Sequence, residues 1–255
     1  MAESLRVHLL PSHVSPEELA GHAVVVIDVL RATTTIVHAL AAGATSVLPC
    51  LEVEQALLLA QQFGPAVVLG GERGGRKIAG FDLGNSPEEY SPATVAGKRV
   101  IFTTTNGTKA MLRCRLARRV LIGAFVNFSA ICERLRNEAR VDLLCSGTDN
   151  QITREDVLFA GAVVEDLLEQ GGGEQVTKCE LNDQALIALD AWRAVRADMR
   201  QALSPLVDQL RSSRGGRNLL EIGQERDIDI AAQIDRLAVA PELDVATWVI
   251  TASKA

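Results

Sequence analysis

Three segments of the chain place acidic, basic and hydroxyl side chains directly after a short apolar run: 28–35, 103–109 and 145–156. In the first of them, Asp28 follows five consecutive apolar residues and precedes Arg31 and three threonines. Such a carboxylate is suited to bind a metal or to act as a nucleophile. The free N–H groups at the start of the following helix suit a phosphate or a carboxylate. A purely structural interpretation has Thr33 cap that helix and Asp28 accept its N–H groups.

A separate stretch, LGGERGGRK at 69–77, is rich in glycine and basic residues. Its glycines allow backbone N–H groups to approach an anion closely. Arg73 and Arg76 can each clamp two oxygens, whereas Lys77 supplies a point charge. The GxxxxGK[ST] spacing of a nucleotide-binding P-loop is absent. The alternative for 69–77 is a solvated turn without a ligand. The next loop, 80–89, offers Asp82, Asn85 and Ser86 as supporting groups. A helix is predicted to start at 86–89.

The remaining polar segments add donors and carboxylates. Asn106-Gly107 supplies a tight turn whose neighbouring hydroxyl and N–H groups could surround an anion. Asp149, Glu155 and Asp156 follow the apolar run that ends at Cys145, although Thr153 and Asp156 also have the spacing of a capping box. Magnesium in phosphoryl chemistry takes one or two carboxylates together with substrate oxygens and waters, so Asp28, Glu72 and Asp156 offer enough ligands. A polar loop predicted at 212–218 repeats the arginine and glycine chemistry and could close over the site.

Two phosphatase mechanisms can be compared with these motifs. A cysteine phosphatase carries an arginine six residues after its nucleophile, and position 151 after Cys145 is Gln, so that mechanism is excluded. A haloacid-dehalogenase-type phosphatase ends a strand in Asp-x-Asp, and the second position here is Leu30. A phosphoaspartyl intermediate at Asp28 stays open, because a carboxylate nucleophile needs no base to activate it.

The elements that position these segments follow an alternating pattern. Strands are predicted at 5–10, 23–28, 46–50, 66–70, 99–103, 119–123 and 141–145, with helices between most of them, one beginning at Ser15 and another spanning 33–42. The strand runs are almost wholly apolar, so helices should cover both faces of the sheet. The fold class predicted is α/β: three-layer α/β/α with a largely parallel or mixed central sheet and a helical C-terminal part. Ligands bind outside the carboxyl ends of strands in such sheets, so the three polar segments should converge.

Length and composition limit the other classes. The 255 residues, 47% of them hydrophobic, fit a single domain spanning 1–255, with a helical cap or subdomain over 174–240. That part is predicted to contain a long helical stretch at 183–210, the polar loop, a helix near 227–237 and a last strand at 247–250. A net charge of −6 argues against a nucleic-acid partner. The chain has five cysteines without a CxxC pair, no signal-like N-terminus and no long apolar run. These features predict a cytoplasmic protein without a membrane partner. Assembly into a homo-oligomer stays open.

Taken together, the motifs resemble those of the 2-phosphosulfolactate phosphatase family. They are DVLRATTT (28–35), GERGG (71–75), GFDLGNSP (80–87), TTTNGT (103–108), ED (155–156) with AGA (160–162), and SRGGR (213–217). They occur in order over most of the chain. The resemblance implies a magnesium-dependent hydrolase that converts 2-phospho-3-sulfolactate to 3-sulfolactate and phosphate, a step of coenzyme M biosynthesis, or that acts on a related 2-phospho-hydroxyacid.

These arguments select the following site residues. The catalytic candidates are Asp28, Arg31, Glu72, Arg73, Asn106 and Asp156. The substrate-binding candidates are Thr33, Thr34, Arg76, Ser86, Thr105, Gly107, Lys109, Arg214 and Arg217. The metal ligands expected for Mg²⁺ are Asp28, Glu72 and Asp156. The expected reaction is in-line attack at phosphorus by metal-bound water or by Asp28, with arginines stabilising the equatorial charge. The alternatives are a phosphatase of another small phosphorylated acid and a non-catalytic protein that binds a small polyanion.

Overall fold

The computed structural model describes residues 2–170, 179–199 and 205–253. Eleven strands of these residues form one mixed sheet in the order β5-β4-β6-β3-β11-β10-β7-β2-β8-β1-β9. The strands are β1 (Ser4–His8), β2 (Ala23–Ile27), β3 (Ser46–Cys50), β4 (Val67–Arg73), β5 (Arg76–Lys77), β6 (Arg99–Thr103), β7 (Arg119–Gly123), β8 (Arg140–Cys145), β9 (Glu180–Leu181), β10 (Ala240–Asp244) and β11 (Val249–Ser253). Helices cover both faces of this sheet, which confirms the predicted three-layer α/β/α class.

The sheet consists of two parallel sets of strands that run in opposite directions. The set β7-β2-β8-β1-β9 and the set β4-β6-β3 are each parallel. Between them stands the hairpin of β10 and β11, and the three pairings that it makes or contains are antiparallel. Because three antiparallel pairings, an odd number, separate the two sets, the strands of one set run opposite to those of the other. Adjacent strands also rotate by about 20–25°, so the five steps from β2 to β6 turn the sheet through roughly a right angle or more.

Among the described residues, three helices cover one face of the sheet and form the first layer. They are α1 (Ala32–Ala41), α3 (Pro92–Val95) and α4 (Gly107–Arg113). One apolar core joins Ile36 of α1 and Met111 of α4 to Val24 of β2, Val47 of β3 and Phe102 of β6. Because α1 follows β2 and α4 follows β6, the two helices begin where the two strand sets end. The first turns of α1 and α4 meet although their strands run in opposite directions, since a Cβ atom at Gly107 would stand 2.8 Å from that of Ala32.

The opposite face carries the remaining helices. They are α2 (Val53–Phe63), α5 (Phe128–Leu135), α6 (Arg154–Gln170), α7 (Asp183–Met199), α8 (Pro205–Ser212), α9 (Arg214–Glu221) and α10 (Arg226–Ala231). Alternation along β2 divides its side chains: Val25 and Ile27 face this layer, whereas Val24 and Val26 face α1. Helices α6 and α7 pack over β2, β8 and β1, and α2 covers the smaller set. None of the helices among the described residues combines the length and apolar character needed to cross a bilayer.

Several local predictions need correction. The segment 212–218 was predicted to be a loop, but Ser213 caps α9 by accepting the N–H of Gly216 (Oγ···N 3.0 Å), so its arginines lie on a helix. Ser15 does exchange capping hydrogen bonds with Glu18, but only turns follow. The glycine-rich segment is a β4-β5 hairpin whose turn residues, Gly74 and Gly75, both have positive φ. Strand β10 was missed altogether.

The C-terminal predictions differ mainly in their bounds. The predicted helix at 183–210 is described as α7 and α8, with 200–204 outside the described residues. The helix near 227–237 is the shorter α10, and the last strand is β11. The glycines at 171–173 also lie outside the described residues, as do the first residues of the 174–240 segment. That segment stays a prediction as a separate cap, although α9 borders the site described next.

Candidate active site

The ends of the two strand sets enclose a cavity of about 310 Å³. Its lining includes Asp28 and Arg31 after β2, Glu72 at the end of β4, Thr104 to Asn106 after β6, and Thr148 and Asp149 after β8. Helix α9 and its end contribute Gly215, Asn218, Leu219, Glu221 and Ile222. The three polar segments singled out in the sequence therefore line a single cavity, as predicted. Their convergence depends on the meeting of α1 and α4 as well as on the strand ends.

Asp28 stands at the end of β2 with its carboxylate directed to the starts of both helices. Its Oδ1 accepts the N–H of Ala32 at the first turn of α1 (3.2 Å). Its Oδ2 lies next to Gly107 of α4, where a Cβ atom would stand only 2.9 Å away. Burial, and then the charge of Asp156, raise the pKa of Asp28 to about 8. A buried carboxylate that lines a polar cavity with a strongly raised pKa is a candidate for chemistry.

Two further predicted carboxylates brace the loops. Asp156 accepts the N–H of Val29 with Oδ1 (2.9 Å) and that of Gly147 with Oδ2 (3.0 Å), so it joins the loops after β2 and β8. Glu72 accepts from Thr105 with Oε1 and from Gly75 with Oε2, both at 2.8 Å, and joins β4 to the loop after β6. Both side chains are buried. Each therefore fixes the positions of cavity-lining backbone.

Arg31 is a buried cation whose donors are directed to protein acceptors. Its Nη1 contacts Asp227 of α10 (2.7 Å) and also Gln224, and its Nη2 donates to the carbonyl of Gly75 (2.7 Å). The side chains of Arg31 and Asp227 are each only 3% exposed. Ser86 donates to the other oxygen of Asp227 (2.6 Å). Arg31 thus ties the start of α1 to α10 and to the β4-β5 turn, while lining the cavity.

Glu155 is a buried carboxylate that the sequence singled out without assigning it a role. It is 1% exposed, accepts hydrogen bonds from Ser213 and from the backbone of Gly215, and its Oε2 has no partner among the described residues. Burial is the largest cause that raises the pKa of Glu155 to about 7 and that of Asp156 to about 8. The charge of Asp28 adds to the rise at Glu155, and that of Glu155 adds to the rise at Asp156. The site therefore concentrates carboxyl groups whose ionised forms a bound cation would stabilise.

The cavity also offers neutral polar groups. Asn85 is 5% exposed, lines the cavity, and its Oδ1 has no partner in the described part of the chain. The hydroxyl of Thr105 is likewise without a described partner. Thr104 and Asn106 complete the loop beside them. Sequence reasoning placed Asn85 only in a supporting role and did not select Thr104 or Asn218, because loop residues distant in sequence give no signal that they share a wall.

Several predicted binding residues and one predicted catalytic residue, Arg73, lie elsewhere. The hydroxyls of Thr33 and Thr34 donate to the backbone carbonyls of Asp28 (2.8 Å) and Val29 (2.7 Å), so they stabilise the loop rather than face the cavity. Arg73 bonds the carbonyls of Glu72 and Leu51, and Arg217 that of Ser212. Among the described residues, Arg73, Arg76 and Arg217 line neither this cavity nor the adjoining one that contains Lys109. Arg214 pairs with Asp149 (3.1 Å).

Gly107 provides a first test of this geometry. A Cβ at position 107 would stand 2.8 Å from the Cβ of Ala32 and 2.9 Å from Oδ2 of Asp28, so Gly107→Ala must displace one of them. We expect kcat/KM of the reaction proposed below to fall about tenfold to a hundredfold, since small misplacements of reacting groups are costly. Overpacking should lower the free energy of unfolding by only about 1–3 kcal/mol. Steady-state kinetics on protein shown to be folded by circular dichroism and thermal melting would check this; unchanged kcat/KM would contradict the placement of Asp28.

Known proteins are similar to this chain over most of its length. A family profile described as 2-phosphosulpholactate phosphatase matches residues 8–245. A protein of Carboxydothermus hydrogenoformans is 41% identical over 89% of this chain and 90% of its own length. One of Symbiobacterium thermophilum is 42% identical over 88% and 92%, and one of Deinococcus radiodurans is 40% identical over 94% and 92%. Each of the three bears the name probable 2-phosphosulfolactate phosphatase.

Proposed function

The chain belongs to the 2-phosphosulfolactate phosphatase family, and we propose that it hydrolyses 2-phospho-3-sulfolactate, or a related 2-phospho-hydroxyacid, to 3-sulfolactate and phosphate with the help of Mg²⁺. Family membership carries the reaction class, a phosphoric monoester hydrolase. The substrate, the metal, the cytoplasmic location and a place in coenzyme M biosynthesis are parts of the proposal.

The observation that supports this proposal most strongly is the placement of Asp28. It lines a cavity large enough for a three-carbon phosphorylated acid, and Asp156 and Glu155 stand behind it. Phosphoryl transfer requires mainly positioning and charge stabilisation, so a site of this kind needs few reactive groups. The hydroxyl of Thr105 and the backbone of the loop after β6 supply donors for phosphoryl oxygens, whereas the unpartnered Oδ1 of Asn85 is an acceptor.

The chain's own residues suggest the following course. Oδ1 of Asp28 accepts the N–H of Ala32, so Oδ2 faces Gly107 and the loop after β6. From there Asp28 would either attack phosphorus as the ester P–O bond breaks, forming an aspartyl phosphate that water then hydrolyses to phosphate, or accept a proton from an attacking water. In both routes the oxygen of the leaving hydroxyacid takes up a proton. Glu72 and Asp156 keep the surrounding loops in place, and Arg31 holds α10 and the β4-β5 turn beside them.

The site offers few free carboxylate oxygens to Mg²⁺. No three His, Cys, Asp or Glu side chains within residues 2–170, 179–199 and 205–253 form a ready-made metal cluster. Magnesium, however, commonly takes only one or two carboxylates. The carboxylate of Asp28 and the unpartnered Oε2 of Glu155 are oxygens of the required kind. The oxygens of Glu72 and Asp156 accept backbone N–H groups. Asp28 would therefore be the principal ligand, and the bound cation would neutralise phosphoryl oxygens and favour the ionised form of Asp28.

Removal of the metal is the test of this part of the proposal. With 2-phosphosulfolactate as substrate, excess EDTA should lower phosphate release about a hundredfold or more, since a metal contributes several kcal/mol of charge stabilisation. Added Mg²⁺ should restore it. Full activity in EDTA would remove the metal from the proposal without touching the phosphatase activity. Tight calorimetric binding of the compound with Mg²⁺ but without phosphate release would instead indicate a polyanion-binding protein.

A further inference from the structure

A second cavity adjoins the site on the far side of the loop after β6. It measures about 510 Å³ and shares Thr105, Asn106 and Asp149 with the first cavity. Its other polar lining includes Lys109 and Arg113 of α4 and Ser146 after β8. The substrate proposed above carries two acidic groups besides its phosphate on a three-carbon skeleton. Any site for those groups must therefore lie beside the phosphate site, and the second cavity has that position.

The two cavities differ in charge. Asp28, Glu72 and Glu221 line only the first cavity, whose one described cation, Arg31, is paired with Asp227. Lys109 and Arg113 stand four residues apart on α4, line only the second cavity, and form no ion pair with any described residue. Asp149, common to both linings, is paired with Arg214. The second cavity thus holds the positive charge that an acidic substrate needs and that the first cavity lacks.

Ser146 gives an independent indication of a ligand. It is only 5% exposed, and its N–H donates to the carbonyl of Ile27 (2.7 Å), which fixes it at the end of β8. Its hydroxyl has no partner among the described residues although it lines the second cavity. Buried hydroxyls are normally hydrogen-bonded, so an unpaired one in the wall of a cationic cavity points to an oxyanion as the missing acceptor.

We propose, on the basis of the proposed function, that the second cavity is the sulfonate subsite, in which Lys109, Arg113 and Ser146 bind the sulfonate oxygens while the phosphate lies against Asp28. A sulfonate keeps its charge at every working pH and offers three oxygens, which matches two cations and a hydroxyl donor. These three side chains then determine specificity, since a 2-phospho-hydroxyacid without the sulfonate leaves them without a partner.

The test compares two substrates with four variants, three single and one double. 2-Phosphosulfolactate and 2-phospholactate share the phosphate and the carboxylate and differ in the sulfonate. Each of Lys109→Met, Arg113→Met and Ser146→Ala removes the donor groups of one side chain. We expect the combined Lys109→Met/Arg113→Met variant to raise KM for 2-phosphosulfolactate about tenfold to a hundredfold, the usual effect of losing hydrogen bonds to a charged group. Ser146→Ala should raise it several-fold. KM for 2-phospholactate should stay within about twofold for all of them.

Lys98→Met is the matched control, because it removes one positive charge at a side chain that lines neither cavity and bonds the carbonyl of Thr94. It should change neither KM. Equal increases of both KM values would assign the cavity to the carboxylate or to the fold and overturn the inference, and so would unchanged values. Wild-type protein that releases no phosphate from either compound would contradict the proposed function itself, which separates that failure from failure of the sulfonate subsite.

Discussion

Replacement of Asp28 by asparagine should lower kcat/KM for 2-phosphosulfolactate about a thousandfold or more, whether Asp28 attacks phosphorus or accepts the proton of a water, because a neutral amide does neither. The substitution keeps the shape of the side chain and its acceptor for the N–H of Ala32. It also removes a buried carboxylate whose ionisation its surroundings oppose, as its raised pKa of about 8 shows. The free energy of unfolding should therefore stay the same or increase while activity is lost.

The two roles of Asp28 can be separated by rapid quench. Attack by Asp28 would leave phosphate covalently attached to that residue in wild-type protein during turnover, and the Asp28→Asn variant would show none. Attack by water would leave no phosphate attached to the protein at any time during turnover. Asp28→Asn protein that is folded and retains more than about a tenth of wild-type kcat/KM would contradict both roles, since general base catalysis alone is worth about 10²–10⁴.

Arg31→Met is expected to have the largest effect on stability. Removing one partner of a buried ion pair leaves the other charge unpaired and costs about 3–5 kcal/mol. Asp227 would keep its hydrogen bond from Ser86 but lose Arg31, and the carbonyl of Gly75 would lose a donor. We expect the midpoint of urea unfolding to fall accordingly. Because Arg31 ties α10 and the β4-β5 turn to the site, kcat/KM of the remaining folded protein should also fall.

The double variant Arg31→Met/Asp227→Asn distinguishes pairing from packing. It also removes the Asp227 carboxylate that Arg31→Met leaves unpaired, so the double variant should be more stable than Arg31→Met alone. The control is Arg226→Met, which breaks an exposed ion pair with Glu88 (3.0 Å) and should change stability by no more than about 1 kcal/mol. If Arg31→Met and Arg226→Met unfold at the same urea concentration, the bracing role assigned to Arg31 is wrong.

The fold was largely predictable because its central strands are short apolar runs buried on both faces. Val24 to Ile27 illustrate this, since alternate residues enter different cores and none can be polar. The opposite directions of the two strand sets were not predictable. They depend on the hairpin of β10 and β11, and β10 (APELD) contains a proline and two acids that give no strand signal. The helix α9 was missed for a similar reason, since its two glycines are typical of loops.

The candidate site was predictable where chemistry is local in sequence. Asp28 and the loop of Thr105 and Asn106 reveal themselves by their place after a strand. The arginines were harder to interpret, because residue type does not show where a long side chain finds its acceptors. Arg31 turns to Asp227, almost two hundred residues away, and Arg73 turns to backbone carbonyls. The unpaired hydroxyl of Ser146 likewise becomes evident only once three loops are placed together.

The most direct test of the proposed function is phosphate release from a panel of phosphorylated hydroxyacids, with wild-type protein and Mg²⁺. The panel should contain 2-phosphosulfolactate, 2-phospholactate, 3-phosphoglycerate and phosphoenolpyruvate, and each initial rate should be converted to kcat/KM. We predict the highest value for 2-phosphosulfolactate, with one 3-sulfolactate formed for each phosphate. No release from 2-phosphosulfolactate, or a kcat/KM at least tenfold higher for another member of the panel, would contradict the proposed substrate.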